Sequence, residues 1–117
     1  MTIKEPRNSP RTEWSQPFLQ GMIDRIGVSY HKYGAVADAK GIDVIKSLKV
    51  RLDRYVATGN TEWLMDVANY AMFEFMHPKH ASAHFRATDS KESPGNVWLG
   101  TNVPVQARND GSDCASV

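Results

Sequence analysis

The chain has 117 residues, with 14 Lys and Arg against 13 Asp and Glu, a net charge of +1. That length suits one domain, and that balance argues against a nucleic-acid binder driven by bulk positive charge. A single cysteine, Cys114, excludes an internal disulfide framework and a Cys-rich zinc site. No apolar run approaches the roughly 18 residues of a membrane helix, and MTIKEPRNSPRTEW at the N-terminus lacks the apolar stretch of a secretory signal. The expectation is a cytoplasmic protein with neither a membrane nor a nucleic-acid partner.

Residues 1–16 read as an N-terminal arm. A first helix is predicted over residues 17–33. Pro17 suits the first turn, where its missing N–H costs nothing. Leu19, Met22, Ile23, Ile26, Tyr30 and Tyr33 follow the three/four spacing of one buried stripe, and Gly34 stops the helix. After the connection AVADAKGI, a second helix runs over residues 43–58 with Asp43 as its N-cap. Val44, Ile45, Leu48, Leu52, Tyr55 and Val56 form its apolar face. Lys46, Lys49, Arg51, Asp53 and Arg54 mostly occupy the other side, and Gly59 follows.

The third helix lies in TGNTEWLMDVANYAMFEFMHP. Asn60 or Thr61 caps it, and Pro78 ends it by disfavouring helical geometry at His77. Leu64, Met65, Val67, Ala68, Ala71, Met72, Phe75 and Met76 cover far more than one stripe. Such a helix is central or shared with a second subunit. A short fourth helix is weakly signalled over residues 81–86. Residues 88–117, rich in Ser, Gly, Asn, Asp and Pro, read as loop and mobile tail, with NVWLG available to tuck Trp98 and Leu99 against the bundle. The fold class is therefore all-α: a bundle of three to four helices over residues 17–87 with an irregular tail. A core this small is marginal alone, which points to a homodimer or higher homo-oligomer.

At 100° per residue, Glu62, Asp66, Asn69, Phe73 and His77 share one narrow stripe of the third helix, with Tyr70 and Glu74 on its shoulder. An unpaired carboxylate is costly to bury, so the stripe must be paired, metal-bound or turned to a polar cavity. Carboxylates one turn apart, as Glu62 and Asp66 are, can hold one Mg²⁺ that keeps waters and leaves room for phosphate oxygens. Asn69 can then bond a base or sugar. The structural alternative has Glu62 favouring the helix dipole and Asp66 pairing with Arg51 or Arg54.

YHKYG, at the end of the first helix, offers Tyr30 and Tyr33 for stacking and Lys32 for a phosphate; otherwise these residues are core edge and helix terminus. His77, His80 and His84 lack the Glu that the two-histidine zinc motif requires. The loop from Arg86 to Lys91 and beyond crowds Arg86, Thr88, Asp89, Ser90, Lys91 and Ser93, which suits a phosphate cradle or simply solvent. Walker A, dinucleotide glycine and G-x-S-x-G patterns are missing.

On KYG, SLKVRLDRY and TGNTEWLMDVANYAMFEF, residues 30–76 resemble small phage-encoded all-α nucleotide pyrophosphohydrolases of the MazG-like group and the related phage dATP/dGTP diphosphohydrolases. The resemblance implies Asp66 as a metal ligand and Asn69 near the substrate. The group pairs a helix bearing E-x-x-E with one bearing E-x-x-D. Here Trp63 stands three before Asp66, Glu62 is displaced by one, and the second helix carries only Asp43 and Asp53. The likeness therefore speaks for the fold and a nucleotide-sized pocket more than for turnover.

Three readings follow. In the first, a nucleotide binds at a helix-bundle or subunit interface and water attacks it with Mg²⁺ held by Asp66 and Glu62. Asn69, Tyr70, Tyr30, Lys32, Tyr33, Arg86 and Lys91 contact the ligand. In the second, the same pocket sequesters a nucleotide-derived signal without chemistry. In the third, the helices serve a protein partner.

Overall fold

The structure, a computed structural model, describes residues 10–100 and 104–105. Cys114 and the end of the predicted tail lie outside the described residues. Among those described are three α-helices: α1 (Gln16–Tyr33), α2 (Val44–Thr58) and α3 (Glu62–Met76). The only strands among the described residues are the two-residue β1 (Asn96–Val97) and β2 (Pro104–Val105). The all-α expectation holds. No helix among the described residues is long and apolar enough to cross a membrane.

The helix ends follow local chemistry. The Ser15 hydroxyl accepts from the Phe18 N–H at 3.1 Å and caps α1, with Pro17 in the first turn. Gly34 closes α1 at φ 83° and ψ −170°, donating its N–H to Tyr30. The Asp43 carboxylate accepts from the Lys46 N–H at 3.0 Å and caps α2, which ends on a left-handed Gly59. At α3 the capping side chain belongs to Asn60, whose Oδ1 accepts from the Glu62 N–H, and Thr61 makes no side-chain cap.

The chain divides between Ala81 and Ser82 into two compact units, inside the stretch that the sequence assigns to the bundle. In the first unit α3 packs against both α1 and α2. Gly21 lets α1 come close: a Cβ there would lie 2.5 Å from Sδ and Cε of Met65. The interior is thin. Among the described residues only Val44 is a buried hydrophobic and only Asn69 a buried polar residue.

The expected apolar faces are therefore only partly covered. Leu19, Met22, Ile26, Leu48 and Tyr55 are half-buried, whereas Ile23, Tyr30, Tyr33, Ile45, Leu52 and Val56 are exposed. Helices α1 and α2 each pack on α3 and scarcely on each other, so much of their apolar faces stays open. Phe75 and Met76, in the last turn of α3, are exposed too.

The expected helix over residues 81–86 does not form: residues 81–82 make a turn and residues 83–89 have no regular secondary structure. Order comes instead from a capping box. Asp89 accepts from the N–H groups of Lys91 and Glu92, and Glu92 accepts from the Asp89 N–H at 3.0 Å. β1 and β2 pair antiparallel, Asn96 opposite Val105. Leu99, expected to tuck inward, is fully exposed.

Candidate functional site

All three helices of the first unit contribute to one cleft of about 340 Å³. Helix α1 supplies Arg25, Ile26, Val28, Ser29, Lys32 and Tyr33. Helix α2 supplies Arg51, and α3 supplies Asp66, Asn69, Tyr70 and Phe73. The spacing explains the convergence. Asp66, Asn69 and Phe73 recur every three or four residues on α3, and Arg25, Ser29 and Lys32 do the same on α1. The volume sits at the small end of the roughly 300–1,000 Å³ of ligand pockets.

The cleft is charged, and most of its charge is positive: three cations against one carboxylate. The carboxylate is already engaged. Arg25 donates from Nε to Asp66 Oδ1 at 2.6 Å and from Nη2 to Asp66 Oδ2 at 3.0 Å, a two-pronged pair. Its Nη1 donates to Glu62 Oε2. Asp66 is 16% exposed, Arg25 35% and Glu62 58%, so water screens the outer contact and much less the inner one. The hydrogen bonds that Arg25 donates to Asp66 raise its pKa, against the lowering effect of burial, so this guanidinium stays charged at any ordinary pH.

Arg51 and Lys32 are different. Arg51 lies over the Tyr70 ring, 4.2 Å from its centroid, and donates from Nη1 to the Ser47 carbonyl at 3.0 Å. Neither it nor Lys32 has a carboxylate partner among the described residues. Tyr70 in turn meets Phe73 edge-on at 5.3 Å. One wall of the cleft is thus a cation stacked on an aromatic pair, and the other carries Lys32 and Tyr33.

Asn69 is the most buried polar residue among those described, 4% exposed. Its Nδ2 donates to the Met22 carbonyl at 3.1 Å, tying α3 to α1. Its Oδ1 is buried without a hydrogen-bond partner. A buried acceptor left unpaired costs about 1–3 kcal/mol, so this one asks for a donor.

The sequence-predicted residues therefore divide. Asp66, Asn69, Tyr70, Lys32 and Tyr33 line the cleft. Glu62 stands beside it, held by Arg25. Tyr30 is exposed, meets His31 edge-on at 6.0 Å and is not among the lining residues. Arg86 and Lys91 belong to the second unit. There Arg86 donates to both carboxylate oxygens of Glu92, at 3.2 and 2.6 Å, so its charge is offset locally. The proposed partners of Asp66 are also corrected: Arg51 stacks on Tyr70, and Arg54 lies over Trp63 at 5.8 Å.

Arg25 escapes a reading of α3 alone. Its signal lies on α1, where Arg25, Ser29 and Lys32 run beside the apolar Met22 and Ile26. The same residue decides the fit of Mg²⁺. The ion needs oxygen ligands that are free to turn toward it. Here Glu62 and Asp66 turn toward a guanidinium, and no group of three or more His, Cys, Asp or Glu side chains among the described residues is placed to hold a metal. In this arrangement the donor set does not fit the ion.

Compared with models of known protein families, with curated proteins and with solved structures, the chain matches none of them.

Proposed function

We propose that the first unit binds a small anionic ligand with an aromatic ring, of which a nucleotide is the leading class, and holds it without turnover. The observation that carries this reading is the pair of cations with no carboxylate partner among the described residues, Lys32 on α1 and Arg51 on α2, lining one cleft with Tyr33, Tyr70 and Phe73. Phosphate oxygens suit the two cations. A base suits the aromatic walls, since every base has a face that stacks.

Sequestration is favoured over hydrolysis because the carboxylates that would hold Mg²⁺ are bound to Arg25. Metal-assisted attack on a phosphate needs ions held by free carboxylates. Incubating the protein with a panel of nucleotides, cyclic nucleotides and ADP-ribose derivatives, with and without Mg²⁺, separates the outcomes. After denaturation and chromatography, a depleted ligand recovered intact is the expected result. Release of pyrophosphate, lost in Asp66→Asn, would instead establish the MazG-like reaction. No depletion of any compound would leave the interaction-protein reading.

A further inference from the structure

We infer that Arg25 stands in the place of a divalent cation: it is the chain's own fixed counter-ion for Glu62 and Asp66. Two carboxylates one helical turn apart repel each other and attract a cation of two charges. The chain meets that demand from the neighbouring helix. The Arg25 guanidinium lies between them, with Nε and Nη2 on Asp66 and Nη1 on Glu62. Three of its five N–H donors are thereby spent, on both oxygens of Asp66 and on Oε2 of Glu62.

The arrangement has two physical consequences. First, the acidic pair is neutralised to a net charge of −1 by a group that a chelator cannot remove. An anion entering the cleft therefore meets less repulsion from α3, with no metal required. Second, the fork is built for this site. It is planar, always charged and satisfies Asp66 in two-pronged fashion, which a lysine ammonium cannot do. A metal ion approaching Asp66 from the side that Arg25 holds must displace its bonds, and from any side it meets the charge of the guanidinium.

The inference does not rest on the ligand. It concerns cation binding by the chain alone, so its failure and that of the nucleotide reading are separable. The test uses Mn²⁺ as the probe, with binding followed by electron paramagnetic resonance of the free ion and by paramagnetic broadening of the Glu62 and Asp66 amide signals. The wild-type chain is expected to take up no Mn²⁺ at these residues. Arg25→Gln, which keeps length and polarity but removes the charge, is expected to bind Mn²⁺ at least tenfold more tightly than wild type. Arg25→Gln combined with Asp66→Asn should lose that gain.

Wild-type broadening at Asp66 that Asp66→Asn abolishes would overturn the proposal. So would an Arg25→Gln protein of unchanged helical circular dichroism that binds no more Mn²⁺ than wild type. Should Arg25→Gln fail to fold, the wild-type spectra decide alone: unbroadened Glu62 and Asp66 signals support the substitution of metal by guanidinium, and broadened ones end it.

Discussion

At the scale of single residues, the inner and outer halves of one ion pair do different amounts of work. Asp66 takes two bonds from Arg25 at 16% exposure, and Glu62 takes one at 58%. Asp66→Ala should cost on the order of 1–3 kcal/mol, at the low end because Arg25 itself remains a third exposed and can turn to water. Glu62→Ala should cost about 0–1 kcal/mol, as screened surface pairs do. Urea unfolding of the two variants checks the ranking, and equal costs would show that Asp66 gains nothing from its burial. Asp66 was legible in the sequence as a polar group on an apolar helix that had to be answered. Its partner was not, because periodicity places residues on a face and says nothing of which neighbouring helix turns a long side chain toward it. Arg51 and Arg54 were the nearer cations in sequence, but both are drawn onto rings.

At the scale of elements, the helix boundaries were the most readable feature. The Asp43 and Asn60 caps and the two terminal glycines act through bonds spanning two to four residues, so local sequence suffices, whereas the Ser15 cap one residue before α1 was not read from it. The glycines of α1 illustrate two opposite roles. Gly27 sits in the helix interior with open space around it, so Gly27→Ala should stabilise by about 0.5–1 kcal/mol. Gly34 lies at φ 83° and ψ −170°, a region that side chains resist, so Gly34→Ala should cost about 1–3 kcal/mol. Thermal unfolding followed by circular dichroism should move up for the first and down for the second. A rise for both would mean that α1 does not end at Gly34.

The capping box of the second unit was not legible in the same way. TDSKE carries the right residue types, but a single 3-10 turn (Ser90–Glu92) leaves no periodicity to find. It makes a prediction about pH. The bond from Arg86, and then the Asp89 N–H, hold the Glu92 carboxyl below its ordinary value of 4.5. A group depressed in the folded chain favours the folded turn above the ordinary value. That contribution is lost as pH falls through the depressed value. Titration by nuclear magnetic resonance should place Glu92 below 4.5, and Arg86→Ala should move it upward. An unshifted Glu92 in both proteins would remove the pair.

At the scale of the whole molecule, the apolar excess is the salient fact. A first unit with one buried hydrophobic residue among those described, and with Val56, Phe75 and Tyr33 each at least three-quarters exposed, leaves much of its driving force unspent. We propose that a second copy of the chain covers part of this surface. Light scattering at micromolar concentration should give at least twice the 13.1 kDa of one chain. A monomeric mass with full helical content would contradict it. The sequence showed the excess, since α3 is apolar nearly all round, but hydropathy does not tell a neighbour in the same chain from one in another. The same limit applies to the cleft: its α3 wall was visible as a stripe, whereas its α1 and α2 walls needed the packing of three helices.

The central claim is that Lys32 and Arg51 give this cleft an anion site that works without metal. Isothermal titration of the wild-type chain with nucleotides in excess EDTA, beside Arg51→Gln and Lys32→Gln, tests it most directly. The account predicts saturable binding of at least one nucleotide in EDTA, weakened about tenfold or more by either substitution, in line with the roughly 1.4 kcal/mol that a lost charged contact is worth. Binding that appears only when Mg²⁺ is restored, or that survives both substitutions unchanged, would contradict it.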